Sequence, residues 1–473
     1  MLSTDRRLAA QPTRTAAEVV PPGVRVCLLG LIALLVLLFA IAAQVNAQAT
    51  TQPGSPSGDA FRRFLEQLWP EAQAMGVTRA TFDAALRGVE PDLSLPDLVL
   101  PGKTEVKGQA EFTRTPAEYL SATFLAKLAD QGKTLLTTHG EALARIEREL
   151  GVQRQFVLAI WGRETAYGAH RSQHYAVKVL ATQAYLGRRK DMFRNELLHA
   201  LKLLQDGVRT RDTLVSSWAG AMGLTQFMPS EYYTLAYDLD GDGRKDIWNS
   251  VPDALASAAN QLRHKGWIAG QSWGYEVQLP KGTSCALEGP DNARPVRAWA
   301  ALGVVRSGRE RAFPADVLDA QAFILTPAGA HGPAFLALEN FLVLKRYNMA
   351  DLYALFVGNL GDRIAGGGAF DTAWADVRQL SAKGIEEIQE RLRVLGFAVA
   401  KVDGKAGMNT RALIGAYQQG SKLKVDCWPT EALLAHLRAQ APEKAPANAP
   451  VKGADAKGSD GAAAQGRAGL APQ

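Results

Sequence analysis

The chain has 473 residues, more than one domain ordinarily holds, so two folded units joined by linkers are expected. With 47% hydrophobic and 21% charged residues it is globular and able to bury a proper core. Lys and Arg number 53 against 47 Asp and Glu, a net charge of +6; the surplus suits anionic polymers, but no dense basic block with interleaved aromatics marks a nucleic-acid binder.

At the N-terminus, Arg25 precedes an apolar run from Val26 to Ala43, and Val45-Asn46-Ala47 offers a small-x-small cleavage site. Residues 1–47 therefore read as a signal peptide or, because the run is almost long enough to span a bilayer, as an uncleaved membrane anchor. Either way the bulk of the chain is exported. Residues 48–58, rich in Thr, Gln, Pro, Gly and Ser, read as a flexible linker. From 59 to 375 the pattern is mainly α: Phe61, Phe64, Leu65 and Leu68 recur at helical spacing, as do Leu120, Phe124, Leu125 and Leu128, and strand-like alternation is scarce. The pattern breaks at Gly366-Gly367-Gly368, and a short unit spans 381–440. Residues 441–473 have almost no large apolar side chain and are expected to be disordered. Of the three cysteines, Cys27 lies in the N-terminal segment, while Cys285 and Cys427 fall in different domains. Two isolated buried thiols are the expectation for that pair, with a disulfide as the alternative.

Two segments carry chemistry. In Arg154 to Thr165, the residues Phe156, Ile160 and Glu164 are four apart and share one helical face with Val157 and Trp161. That sets a carboxylate on an apolar face, where desolvation favours the protonated form that a general acid needs. A buried ion pair with Arg163 or another basic residue is the competing reading. The stretch Ser216 to Ser230 interleaves small residues with one amide and hydroxyls. Gly220, Ala221 and Gly223 allow close approach of backbone, Ser217 and Gln226 can bond polar substituents, and Trp218 offers a stacking face for a sugar. A tight helix-to-helix turn would have the same composition.

Together these segments resemble the lytic transglycosylases of the lysozyme-like superfamily, specifically the membrane-bound lytic murein transglycosylase B family. The resemblance rests on Glu164 near the end of an apolar helix and on Ala219-Gly220-Ala221-Met222-Gly223 continuing to Gln226-Phe227-Met228-Pro229. It implies a lysozyme-like helical catalytic domain over 59–375, with Glu164 as the catalytic acid/base and Ser217 and Gln226 as its polar neighbours. Arg188, Arg189, Asn348 and Tyr353 would line the glycan groove. The chain departs from some relatives in having Gln261, not Tyr, after Asn260.

A third feature is Asp238-Leu239-Asp240-Gly241-Asp242-Gly243-Arg244, the opening half of an EF-hand loop. Carboxylates of Asp238, Asp240 and Asp242 and the Arg244 carbonyl suit Ca²⁺, although Asn249 stands where the closing Glu belongs. The resemblance implies that a later acid, Asp253, closes the site. A solvated acidic turn is the competing reading, and any Ca²⁺ here is expected to be structural, with no cofactor needed for catalysis.

The short C-terminal unit resembles the peptidoglycan-binding domain type 1, a three-helix module, through Val394-Leu395-Gly396-Phe397 and Asp403-Gly404 followed by Gly407 and Thr410. Asp403-Gly404 reads as a turn and Thr410 as a cap for the next helix. Ala406 replaces an aromatic residue common at that place. A plain bundle that only packs on the catalytic domain is the alternative.

Glycosidases ordinarily use two carboxylates, and here the resemblance supplies one. The expected reaction is therefore cleavage of the β-1,4 bond between N-acetylmuramic acid and N-acetylglucosamine with closure of a 1,6-anhydro ring. A hydrolytic lysozyme-type muramidase and a non-catalytic peptidoglycan-binding protein are the alternatives. The partners implied are peptidoglycan strands, the membrane through the N-terminal segment, and other cell-envelope enzymes. The implied location is the periplasm or cell envelope, with inner-membrane anchoring as a variant.

Overall fold

The computed structural model describes residues 58–100, 113–308, 312–378 and 380–440; the N-terminal apolar run with Cys27, nearly all of the linker and the C-terminal tail lie outside them. Helices α1 (Gly58–Glu66), α2 (Trp69–Ala74) and α3 (Arg79–Leu86) open the described chain. A short turn, α4 (Pro116–Tyr119), precedes α5 (Ala122–Thr138), α6 (Gly140–Leu150) and α7 (Arg154–Thr165). Strand β1 (His174–Tyr175) leads to α8 (Ala176–Leu186) and α9 (Lys190–Gln205); β2 (Val215–Ser216) pairs back antiparallel on β1. Helices α10 (Pro229–Leu235) and α11 (Val251–His264) complete this part.

Most of the residues expected from spacing to form the apolar helical faces are buried, but Phe124 is 45% exposed. Phe61, Leu65 and Leu68 join Phe82, Leu197 and Leu201 in one core, and Leu125, Leu128 and Ile146 join Phe156 and Ile160 in another. Each such side chain contributes on the order of 1.5–3 kcal/mol through burial.

The chain then departs from an all-helical pattern. Strands β3 (Gly274–Gln278), β4 (Arg294–Pro295), β5 (Val305–Arg306), β6 (Gln321–Leu325) and β7 (Ala334–Leu338) form one antiparallel sheet in the order β4-β6-β7-β3-β5. Its central strands are covered on both faces. Phe323, Leu325, Phe335 and Ala337 face the helical core, while Ala322, Ile324, Leu336 and Leu338 pack with Trp299 of α12 (Val296–Ala301). A strand buried on both faces reads as a continuous apolar run, so the absence of alternation concealed this sheet.

Helices α13 (Glu339–Tyr347) and α14 (Asp351–Ile364) follow β7. Nearly every residue of α14 is buried, the polar Asp351, Asn359 and Arg363 among them. It lies against α7, and at Gly361 an added side-chain carbon would come within 2.5 Å of the Phe156 ring. Only glycine allows that approach. Because Gly361 meets Phe156 while Tyr353 meets Glu164, the two helices run antiparallel.

The C-terminal unit is a three-helix bundle of α15 (Ala382–Val394), α16 (Met408–Gly420) and α17 (Glu431–Gln440), closed around Ile385, Ile388, Leu392, Ile414, Leu434 and Leu437. Two expectations are corrected here. Thr410 lies inside α16 and accepts from Gln389 at 3.0 Å, whose carbonyl oxygen in turn accepts from the Asp403 and Gly404 amides; the helix itself starts at Gly407 without a side-chain cap of its own. Cys285 and Cys427 are joined by a disulfide across a sequence separation of 142 residues. The cysteines lie in separate sequence units, but those units dock: the Ala330 amide donates to the Asp426 carbonyl at 2.9 Å, and the Trp428 indole donates to the Arg378 carbonyl at 3.1 Å.

A cross-link closing so long a loop contributes about 2–5 kcal/mol. Thermal unfolding with and without dithiothreitol should therefore show a clear drop in midpoint on reduction, and the same drop should appear in C427S without reductant. Equal midpoints in all three samples would contradict this contribution.

Candidate active site

Glu164 occupies the last turn of α7, half-buried, just before Ala166 and Tyr167 leave the helix with φ of +47° and +57°. The left-handed exit turns the chain sharply, so the carboxyl group stands at an edge of the core. Tyr353, in the first turn of α14, donates its hydroxyl hydrogen bond to Glu164 Oε1 at 2.5 Å. Tyr347, at the end of α13, stacks on Tyr353 with ring planes 10° apart and donates to the Thr225 carbonyl at 2.7 Å. Burial, and then the negative charge of Glu164, push both phenols well above their ordinary range, so both remain protonated donors.

The competing partner, Arg163, turns another way. Its guanidinium donates to the Tyr119 hydroxyl at 3.0 Å and lies over the rings of Tyr119, Tyr353 and Phe356. Burial works against its charge, but Tyr119 and Glu164 outweigh that and hold it above the ordinary arginine range. It thus supplies positive potential beside the site while its hydrogen bonds go to Tyr119.

The glycine-rich segment is a tight loop seated against the end of α7. Met222 and Phe227 exchange backbone hydrogen bonds at 2.8 Å, and Ser217 Oγ accepts from the Ala221 amide at 3.2 Å. Gly223 has φ +74°, and a side-chain carbon there would meet the Ile247 carbonyl at 2.6 Å. Gln226 is held at φ +57°, with its amide donating to the Gly223 carbonyl at 3.0 Å and reaching Ser172 Oγ at 3.5 Å. A left-handed non-glycine residue is strained, and such strain gathers at functional sites. Two hydroxyls tie the loop to α7 and α13: Thr165 donates to the Leu224 carbonyl at 2.8 Å, and Tyr347 to that of Thr225. Glu164, Tyr353 and this loop are therefore one connected unit.

Asn348 lies half-buried between Tyr347 and α14. Arg188 and Arg189 are exposed at the turn before α9, and both face Asp97, at 3.5 and 3.7 Å. Sequence reasoning passed over Tyr347 and Thr165, although Tyr347 directly precedes Asn348 and Thr165 follows Glu164. It also passed over Glu231, two residues beyond Pro229, whose charge acts on Tyr347. That carboxylate is engaged by Gln261 at 2.6 Å, Lys265 at 3.3 Å and the Met228 amide at 3.2 Å.

In the acidic loop, carboxylate oxygens of Asp238, Asp240 and Asp253 all lie within 4.8 Å of one another. Asp242 Oδ1 instead accepts from the Arg244 amide at 2.8 Å. Asp253 is buried in the first turn of α11, and burial raises its pKa although the Leu239 and Asp246 amides donate to it. The loop backs the glycine-rich segment: Leu224 donates its amide to the Ile247 carbonyl at 2.9 Å, and Thr225 Oγ1 donates to the Ala254 carbonyl at 3.3 Å.

Comparison with known proteins bears on these features. The Transglycosylase SLT domain family matches residues 60–362, and the putative peptidoglycan binding domain family matches 381–437. The membrane-bound lytic murein transglycosylase B of Escherichia coli (strain K12) is 29% identical over 240 residues, 50% of this chain and 63% of that protein, so the chain spans less than two thirds of that relative's length. Crystal structures of SltB3 from Pseudomonas aeruginosa, in complex with NAG-anhNAM-pentapeptide and with NAG-NAM-pentapeptide, match at TM-score 0.71 with 39% and 40% identity. The likeness covers 80% of this chain and 99% of SltB3. With a family match over more than half its length, the chain belongs to the Transglycosylase SLT domain family.

Proposed function

We propose that the protein is a lytic transglycosylase that cleaves the β-1,4 bond between N-acetylmuramic acid and N-acetylglucosamine in peptidoglycan and leaves a 1,6-anhydromuramic acid end. The observation that supports this reading is the Glu164 carboxyl group, bonded by Tyr353 at the edge of the core, while Glu231 is engaged by Gln261 and Lys265. The ligands in the SltB3 structures, one an anhydro-sugar, support the same reaction.

With one carboxyl group, the chemistry must be sequential. Glu164 donates its proton to the glycosidic oxygen as the C1–O bond breaks, and the leaving N-acetylglucosamine departs as a neutral alcohol. The substrate's acetamido group stabilises the cation developing at C1. Glu164, now a carboxylate, removes the proton from the muramyl 6-hydroxyl, whose oxygen bonds to C1 and closes the ring. The proton is back on Glu164, and no water is consumed. Gln226, Ser217, Asn348, Arg188 and Arg189 bind the glycan around the scissile bond.

The C-terminal module holds the wall, and the periplasm or cell envelope is the place of action. The Cys285–Cys427 disulfide supports an oxidising compartment. The N-terminal apolar segment serves for export or for anchoring at the inner membrane.

The acidic loop fits a structural Ca²⁺ held by Asp238, Asp240 and Asp253. The ion would offset the burial of the Asp253 charge and pin the loop that backs Leu224 and Thr225.

In E164Q the release of soluble muropeptides from purified sacculi should fall by roughly 100- to 10,000-fold, while co-sedimentation with sacculi persists. A normal release rate in E164Q would contradict the assignment. For the ion, adding CaCl₂ to chelator-treated protein should raise the thermal midpoint, and the rise should shrink as pH falls and Asp253 takes up a proton. D253N should abolish it, and a midpoint indifferent to Ca²⁺ in the unmodified protein would refute the site.

A further inference from the structure

The C-terminal module reaches the catalytic helix through one buried cation. Arg411 of α16 is 2% exposed, Glu288 3% and Asp351 7%. The guanidinium donates to Glu288 through Nε at 3.0 Å and through Nη2 at 2.5 Å, and Nη2 also donates to Asp351 Oδ2 at 3.2 Å. Its remaining nitrogen, Nη1, donates to the Ala406 carbonyl at 2.6 Å. Glu288 also accepts from the amide and hydroxyl of Thr326, at 2.9 and 3.2 Å. The cluster is thus fully bonded, as a buried charge requires.

Asp351 is where two helices meet. It is the first residue of α14, whose preceding residue Ala350 provides no side-chain cap. Its Oδ2 accepts from the Met408 amide at 2.8 Å, capping the start of α16, which likewise lacks a cap of its own. Its Oδ1 pairs with Lys345 of α13 at 2.8 Å. Met408 packs with the buried residues of the catalytic core. Two residues beyond Asp351 stands Tyr353, whose hydroxyl is bonded to Glu164.

We propose that Arg411 is a positioning residue for the catalytic carboxyl group, acting from the C-terminal module through Asp351 and the first turn of α14 on Tyr353. The module is then part of the catalytic machinery's frame as well as a wall anchor. Among the described residues, Lys345 bonds one oxygen of Asp351 while Arg411 and the Met408 amide bond the other, so the module supplies two of the three contacts made by the carboxylate that begins α14. The inference rests on the reading of Glu164 as the catalytic acid.

The test is a rate cycle on the full-length, disulfide-intact protein acting on sacculi. R411M should lower the rate at saturating sacculi by about 3- to 30-fold with KM little changed, because the loss is one of alignment and not of substrate contact. In a Y353F background R411M should cost nothing further, since the residue through which it acts has lost its hydroxyl. R411K, which keeps a cation for both acids, should recover part of the rate. A merely structural role predicts instead that the two losses multiply. Multiplying losses, or an unchanged rate in R411M alone, would overturn the proposal. If R411M does not fold, as judged by circular dichroism, D351N replaces it in the same cycle with the same expectation. C285A/C427A should lose thermal stability yet keep its rate; a loss equal to that of R411M would make docking in general the cause and also overturn the proposal. E164Q separates the two levels. Normal activity there refutes the catalytic reading, whereas an inactive E164Q with multiplying losses refutes only the role of Arg411.

Discussion

The site depends on two helices lying closer together than side chains normally permit. Where α7 and α14 cross, Gly361 leaves room for Phe156, and the antiparallel course that follows brings Tyr353 to Glu164 at the other end. Everything else at the site refers to that pairing. The hydroxyls of Thr165 on α7 and of Tyr347, which ends α13 and stacks on Tyr353, hold the glycine-rich loop, and Ile247 and Ala254 brace it from behind. The Glu164 carboxyl group accepts from a neutral donor, Tyr353, while its flanking arginine turns to Tyr119.

In the reaction proposed, that arrangement would let one acid do the work of two. In a hydrolase a second carboxylate activates water or attacks the sugar. In the proposed reaction the substrate supplies both missing parts, an acetamido group for the cation and a hydroxyl for the attack. The protein need only hold the glycan still and keep water from C1 until the ring has closed. A rigid frame matters more than an additional reactive group, and the buried cluster of Arg411, Glu288 and Asp351 extends that frame into the C-terminal module.

Much of this was legible in the sequence where local rules govern. Helical spacing placed Glu164 on an apolar face, and the glycines of the following segment marked a place of close backbone approach; in the structure Gly220 and Gly223 adopt left-handed backbone there. The three-helix module was legible through its resemblance to the peptidoglycan-binding domain type 1, carried by Val394-Leu395-Gly396-Phe397 and Asp403-Gly404. What stayed hidden was set by long-range contact. The five-stranded sheet was missed because β6 and β7 are covered on both faces and therefore show no alternation. The disulfide was misjudged because nothing local reveals that the turn holding Cys285 docks on the module holding Cys427. Thr410 was read as a cap, yet the capping acceptor for α16 is Asp351, which belongs to the other domain. Tyr347 carried no signal of its own, since its value lies in stacking on a residue across a break between helices.

The central claim is that Glu164 directs an intramolecular attack and excludes water from C1. Digesting sacculi in heavy-oxygen water and weighing the released muropeptides tests it most directly. The account predicts muropeptides that carry no heavy oxygen at C1 of muramic acid and are lighter by one water than the hydrolytic product. Incorporation of one heavy oxygen at that carbon would contradict it.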